Sequence, residues 1–229
     1  MINIKKLHNK HKGPILIAGS DPSLYDYPDN YLDNKVSITL HLAYLKFPKA
    51  TYRYFNELDR IIYCKEVNPK ILEMKNIFGW PFYGRSEKEC EEVVGENNAY
   101  YLNRESYPPR GDPSDIFMSA GQNAMSDMVK SALDASSDIF GGHGTCLHPC
   151  MYAAIMMGGN PIHLIGCNFK NIDGKEHFGK AHDIDHSMRP HTPSFTGYRG
   201  KRMELGLQAI IKGCKRFGIK VIRHERFTG

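Results

Sequence analysis

The sequence predicts an α/β protein with a Rossmann-like, mostly parallel sheet flanked by helices, and two segments carry this prediction. Residues 14–24 form a short apolar strand that ends in a Gly/Ser turn. Residues 142–169 contain a Gly-rich turn, an apolar helix, a Gly-Gly break and a buried strand, which together make half of a βαβ unit. Because open parallel sheets bind ligands at the carboxyl ends of their strands, the two segments also indicate a ligand site between them.

Six segments have the pattern of strands. Residues 15–18 are an apolar run before a turn, and residues 36–42 alternate and are rich in β-branched side chains. The remaining predicted strands are the apolar or short segments 60–64, 100–102, 161–166 and 220–223. Since strand and helix patterns alternate along the chain, we expect one sheet of mostly parallel strands.

Five segments have a helical pattern. Residues 120–135 carry apolar side chains at helical spacing, and residues 201–217 are amphipathic and are followed by Gly218 as a C′ residue. The other predicted helices are 68–78, with Pro69 at its first position, 87–94 and 146–157. Three segments are predicted to lack regular structure: a polar arm over 1–12, a proline-rich loop over 103–114 and a long lid over about 168–200.

Size and composition set the broad class of the protein. With 229 residues, of which 41% are hydrophobic, the chain is expected to form a single domain over 1–229. No run of about 18 apolar residues is present, so no membrane span is expected, and the N-terminus lacks a secretory apolar region. We therefore expect a cytoplasmic protein with reduced cysteines. The net charge of +5 suits an anionic small molecule and leaves nucleic acid open.

The first predicted strand is followed by groups that suit a phosphate. Gly19 permits close approach of the backbone, and Ser20 and Ser23 offer hydroxyl and amide donors. The alternative is an ordinary turn in which Asp21 and Pro22 start the next segment. The motif matches neither a Walker A loop nor the GxGxxG fingerprint.

A second candidate anion site precedes the helix predicted over 146–157. Thr145 follows Gly144 and is expected to be the N-cap, so that exposed amides suit an anion. The glycines are explained equally well by a tight turn. His143, Cys146, His148 and Cys150 suggest zinc, but their spacing fits no common structural zinc site, which favours packing.

The predicted lid is rich in histidine, which titrates near neutral pH and suits a general base or acid. Because the lid follows a strand end that should face the site, we expect His182, or failing that His177, to be catalytic. The alternative is a solvated loop. Arg189 and Arg199 are candidates for neutralising phosphates. His41 and Asn56 are further candidates beside predicted strands.

Two blocks resemble a known pattern. ILIAGSDPSL, residues 15–24, is similar to the opening I-x-G-x-G-P-S-L of archaeal 6-hydroxymethylpterin diphosphokinase-like proteins and of bacterial family-42 sialyltransferases. YAAIMMGGNPIHLIGCNF, residues 152–169, is similar to their A-x-x-x-G-x-x-x-I-x-L-x-G-x-D-F segment, and HFGKAH and GIKVIRH stand where those families have a lid histidine and a last strand. The resemblance does not extend to the middle of the chain, about 50–120.

The resemblance implies roles for particular residues. Gly19, Ser20 and Ser23 would contact nucleotide phosphates or ribose, with Gly144, Thr145 and Asn168 nearby. His182 in the lid would supply the base. Three positions depart from the pattern, since Asp21 replaces a glycine, Asn168 replaces an acidic residue, and His41 stands where an asparagine is expected.

Together these observations favour a nucleotide-dependent transferase, most of all a glycosyltransferase that moves a sugar from a nucleotide-sugar donor to a small-molecule or glycan hydroxyl. This interpretation requires no cofactor or metal. One alternative is a pterin-type diphosphokinase, in which Asp173, Asp183 or Asp185 would hold Mg²⁺ with ATP. A non-enzymatic nucleotide- or nucleic-acid-binding accessory protein is another, and a metal hydrolase using the His/Asp loop is the weakest. The sequence leaves a homo-oligomer open.

Overall fold

The structure, a computed structural model, describes residues 2–80, 86–94, 99–103, 125–139, 145–169 and 198–227. Its strands are β1 (Ile2–Asn3), β2 (Gly13–Ala18), β3 (Ser37–Leu40), β4 (Tyr52–Phe55), β5 (Asn76–Trp80), β6 (Tyr100–Asn103), β7 (Gly159–Ile165) and β8 (Val221–Arg223). Its helices are α1 (Leu58–Val67), α2 (Glu87–Val94), α3 (over 125–133), α4 (Leu147–Met156) and α5 (Tyr198–Arg216). Short 3₁₀ helices cover Ile4–Leu7, Pro22–Asp26, His41–Leu45 and Pro69–Glu73.

The eight strands form one sheet in the order β1-β6-β5-β4-β3-β2-β7-β8, and every pairing is parallel. The prediction of an α/β, Rossmann-like parallel sheet is therefore confirmed. From β2 the chain builds outward through β3, β4, β5 and β6, and it then returns to the other side of β2 with β7 and β8. The strand order thus reverses between β2 and β7, which is where such sheets open a ligand crevice at their carboxyl ends.

Helices cover both faces of the sheet, so its strands are buried on two sides, as parallel strands generally are. In β2, Ile15 and Ile17 pack into a core cluster with α4, whereas Leu16 and Ala18 pack into a second cluster with α1. All ten residues of α4 are buried. This helix lies against β7, β2 and β3, and it therefore anchors the centre of the sheet.

Two predictions in the middle of the chain are wrong. The run predicted as a strand over 60–64 lies inside helix α1, where Ile61 and Cys64 face the core three residues apart. The helix predicted over 68–78 is instead the 3₁₀ helix Pro69–Glu73 followed by strand β5. Asn68 does cap that short helix, because its side chain accepts from the Lys70 amide at 3.1 Å. Start signals for helices were therefore present, but they did not fix the helix type or length.

The first residues are also corrected by the structure. The polar arm expected over 1–12 contains β1 and a 3₁₀ helix, whose Ile4 and Leu7 are fully buried while Lys5 and Lys6 point to solvent. Strand β4 was not predicted at all. The helix over 87–94 and the strand starting at Tyr100 are confirmed. Of the predicted lid, 170–197 lies outside the described residues, and 198–200 belongs to α5.

The described helices include none with the length and apolarity needed to cross a bilayer.

A pair of histidines on β7 and just after β8 predicts that the stability of the fold depends on pH. His163 Nδ1 lies 2.9 Å from His224 Nε2, and the two rings stack with their centroids 5.2 Å apart. Burial, then His224 and Lys220, lower the pKa of His163 below its ordinary 6.5. The unfolded chain therefore takes up a proton at a higher pH than the folded chain does.

We expect the free energy of unfolding to fall as the pH drops below about 6.5 toward the lower pKa of folded His163. Urea titrations at several pH values check this expectation. The His163→Gln variant should show a shallower decline, though not a flat one, because the pKa of His11 is lowered by burial as well. A decline that His163→Gln leaves unchanged would show that the histidine pair contributes nothing to it.

Candidate functional site

The carboxyl ends of β2 and β7 touch through two glycines. The Gly19 amide donates to the Ile165 carbonyl at 2.8 Å, and the Asp21 amide donates to the Gly166 carbonyl at 3.1 Å. A Cβ on Gly19 would lie 2.1 Å from the Gly166 carbonyl oxygen and 2.8 Å from Cys167 Sγ. Gly19 is therefore required for this contact, and it joins the two strand ends at the point where the strand order reverses.

A buried carboxylate organises the turn after β2. Asp21 accepts hydrogen bonds from the Ser23 amide at 2.8 Å, from Ser23 Oγ at 2.5 Å and from the Asn168 amide at 2.6 Å. Asp21 is 4% exposed and Ser23 is 3% exposed. A phosphate would have to displace this carboxylate before it could use the donors of Ser23. Ser20, half-buried beside them, is the more accessible of the two predicted serines.

Asn168 ties this turn to the last strand. Its Nδ2 donates to Ser23 Oγ at 3.3 Å and to the Glu225 carbonyl at 3.2 Å, and its Oδ1 accepts from Arg223 Nε at 3.2 Å. Because both amide protons are engaged and the side chain is buried, Asn168 positions its neighbours. The asparagine fits this role better than a carboxylate would, since a carboxylate has no proton to donate.

An open cavity of about 350 Å³ lies beside Asn168, between the ends of β7 and β8 and the start of α5. Arg223 lines it and donates through Nη1 to both carboxylate oxygens of Glu204 at 2.8 Å. The Arg223 guanidinium carbon also lies 5.8 Å from the ring centroid of Phe169. The backbone of Phe169 is in the left-handed region, with φ +52°. Neither Arg223 nor Glu204 was predicted from the sequence. A basic residue at the end of the GIKVIRH strand was the available signal for Arg223.

The ends of β3 and β4 bring two further predicted candidates to the same edge. His41 begins the 3₁₀ helix after β3 with φ +44°, and its ring meets that of Phe55 edge to face at 6.1 Å. Asn56 directly follows β4, and its Oδ1 is buried with no hydrogen-bond partner among the described residues. A buried amide oxygen without a partner is costly, and a donor on a bound ligand would satisfy it.

The helix start at Thr145 differs slightly from the prediction. The N-cap is Cys146, and Thr145 is the residue before it. Thr145 Oγ1 still accepts a hydrogen bond from the backbone amide of Leu147 at 3.2 Å. Cys150 is fully buried, and this burial raises the pKa of its thiol well above the ordinary value. His148 Nε2 lies 2.9 Å from the Met203 carbonyl oxygen. These contacts agree with the packing interpretation, while His143 and Gly144 lie outside the described residues.

The structure thus brings together Gly19, Ser20, Ser23 and Asn168, with His41 and Asn56 at the neighbouring strand ends. Arg199 lies in the first turn of α5. The other lid candidates lie outside the described residues, namely His177, His182, Arg189, Asp173, Asp183 and Asp185. Their assignments stay predictions, as do the ligand contacts of the residues that are described.

Comparison with known proteins supports the fold. The chain matches no protein-family model and no curated protein sequence. It is similar to a solved structure described as the sialyltransferase CST-II in complex with a trisaccharide acceptor and CMP, with a TM-score of 0.50 and 14% identity, over 93% of this chain and 80% of that chain. At this identity the similarity shows the Rossmann-like fold alone. Of the two families that the sequence resembles, the solved structure belongs with the sialyltransferases, and no match supports the pterin diphosphokinases.

Proposed function

We propose that this chain is a nucleotide-dependent glycosyltransferase that moves a sugar from a nucleotide-sugar donor to an acceptor hydroxyl. The observation that carries the proposal is the strand order, which reverses between β2 and β7 and places the polar groups that follow β2, β3, β4 and β7 along one edge of the sheet. The fold it shares with a sialyltransferase solved with CMP supports a pyrimidine nucleotide as the first ligand to test.

In this proposal the donor lies across the ends of β2, β3 and β4. Asn56 Oδ1 accepts a hydrogen bond from the donor, and Ser20 and His41 lie beside it. The amide and hydroxyl of Ser23 already donate hydrogen bonds to Asp21. The phosphates of the nucleotide are therefore bound mainly from the lid side, by Arg189 and Arg199. A lid histidine removes the proton from the acceptor hydroxyl as it attacks the sugar, and the nucleotide leaves. No metal is required.

A thermal-shift screen tests nucleotide binding directly. CMP, UDP, GDP, ADP, ATP and sugar nucleotides are each added with EDTA or with Mg²⁺. A ligand at about 100 times its Kd stabilises the folded chain by about 2.7 kcal/mol. For a chain of this size the melting temperature should rise by roughly 5–10 °C. We expect one nucleotide and its sugar derivative to give this shift in EDTA.

The other outcomes discriminate among the alternatives. A shift by ATP only with Mg²⁺ would favour the diphosphokinase, and nucleotide binding without any turnover of sugar nucleotides would favour a non-enzymatic accessory protein. No shift from any nucleotide would contradict the proposal.

The Asn56→Ala variant tests the location of the site. Because Asn56 Oδ1 has no hydrogen-bond partner in the described part of the chain, its removal should leave the melting temperature of the free protein nearly unchanged. The shift caused by the nucleotide should fall sharply, with affinity about tenfold weaker. Asn160→Ala is the matched control, because Asn160 lies at the opposite edge, where it bonds Gly218 and Lys220. Equal nucleotide shifts in both variants would remove Asn56 from the site.

A further inference from the structure

A row of lysines runs along the edge at which the parallel strands begin, called here the amino edge. Five of the eight strands are preceded, within three residues, by an exposed lysine: Lys12, Lys35, Lys49, Lys75 and Lys220. Because every strand pairing is parallel, these lysines all lie at the same edge, opposite the candidate nucleotide site. The fold therefore brings five lysines that are far apart in the sequence into one row.

The row crosses most of the sheet. In spatial order the lysine-flanked strands are β5, β4, β3, β2 and β8, with β7 between the last two. At about 4.8 Å per strand the row is roughly 24 Å long. Lys49 pairs with Asp33 at 2.9 Å and Lys35 donates to the Tyr31 carbonyl, whereas Lys12, Lys75 and Lys220 have no ion pair among the described residues. Most of this charge is thus available to a partner.

Two helices add cations and apolar side chains to the same edge. Helices α1 and α5 each follow the carboxyl edge and lead into a strand that starts at the amino edge, so both end there. Val67 at the end of α1 is 53% exposed, and Phe217 just after α5 is 45% exposed beside Lys215 and Arg216. Asp33, Glu66 and Glu73 lie at this edge too, but basic residues outnumber them.

We propose that the amino edge binds the surface of an anionic phospholipid bilayer. Lysines attract a negative lipid surface, and exposed apolar side chains next to them can enter the boundary between headgroups and acyl chains. A site for single-stranded nucleic acid would instead combine a basic groove with aromatic platforms for the bases. This proposal is independent of the proposed function. A protein bound to a bilayer in this way would have its carboxyl edge facing water, where a soluble donor can reach it.

Vesicle co-sedimentation tests this proposal. The protein is mixed with phosphatidylcholine vesicles, with or without phosphatidylglycerol, at about 0.1 M and about 0.5 M salt. We expect binding only to the anionic vesicles, weakened by salt. The variant Lys12→Gln/Lys220→Gln should bind about 25-fold less tightly, because each surface cation contributes about fivefold. Phe217→Ser should also weaken binding, although it changes no charge.

A charge-matched control separates location from net charge. Lys88→Gln/Lys201→Gln removes two exposed lysines from the starts of α2 and α5, at the carboxyl edge. It should bind vesicles like the unaltered chain, and melting temperatures confirm that both pairs fold. Equal losses in the two pairs, or equal binding to neutral vesicles, would overturn the proposal. Tighter binding of a polynucleotide, with the same dependence on Lys12 and Lys220, would replace the bilayer with nucleic acid.

Discussion

Replacement of Gly19 by alanine is expected to destabilise the chain by about 3 kcal/mol or more, enough to unfold a marginal protein. The added methyl group would lie 2.1 Å from the Gly166 carbonyl oxygen, which is backbone and cannot rotate away. Relief would require β2 and β7 to separate at the strand reversal. The hydrogen bonds from the Gly19 and Asp21 amides would then be lost with the contact.

The control for this change is Gly218→Ala. Gly218 follows α5 with φ +72°, and a Cβ there would meet no atom of the described residues within 4 Å. Its substitution therefore costs only the left-handed backbone strain, about 1 kcal/mol. Urea unfolding of both variants, or solubility of Gly19→Ala if it does not fold, provides the comparison. Similar midpoints for the two variants would show that the glycine contact does not hold the strand ends together.

Replacement of His182 by alanine is expected to lower turnover by about 10²–10⁴-fold, the usual contribution of a general base. Nucleotide affinity should stay nearly unchanged, because in the proposed mechanism this histidine acts on the acceptor proton. Turnover is measured as nucleotide released from the sugar nucleotide that stabilises the chain, and affinity is measured from its thermal shift. The decline of activity at low pH, where histidine is protonated, should disappear in the variant.

His191→Ala and His177→Ala are the comparisons within the same segment. His191 has no assigned role and should retain full turnover, whereas His177 is the second candidate for the base. A large loss in His177→Ala with normal turnover in His182→Ala would transfer the role. Parallel losses of affinity and turnover in His182→Ala would instead make this residue part of donor binding.

The strands nearest the site were the most predictable from the sequence. The strands at 15–18 and 161–166 have an apolar run bounded by glycine, and the structure has β2 and β7 there. The middle of the chain was less predictable because its signals conflict. The run Arg60-Ile-Ile-Tyr-Cys64 has a strand-like composition, and its place in a helix is set by tertiary packing of Leu58, Ile61 and Cys64.

The side-chain network at the site could not have been derived from spacing alone. Asp21 stood out in the sequence as a carboxylate in place of a glycine, but its partner Asn168 is 147 positions away. Arg223 and Glu204 meet only because β8 adds to the sheet beside β7. The residue types at strand ends therefore predicted which edge of the sheet carries the polar groups. Which of these groups pair with one another depends on the fold and could not be predicted.

Both outer strands of the sheet are very short, which has a consequence for how copies of this chain can associate. Within the described part of the chain β1 has two residues and β8 has three, so each of these outer strands offers few unpaired backbone groups to another strand. Continuation of the sheet from one copy into the next is therefore disfavoured. Loss of the first few residues would make the four-residue β6 the outer strand at that end of the sheet. Strand β1 therefore covers part of the β6 backbone that another strand could otherwise pair with.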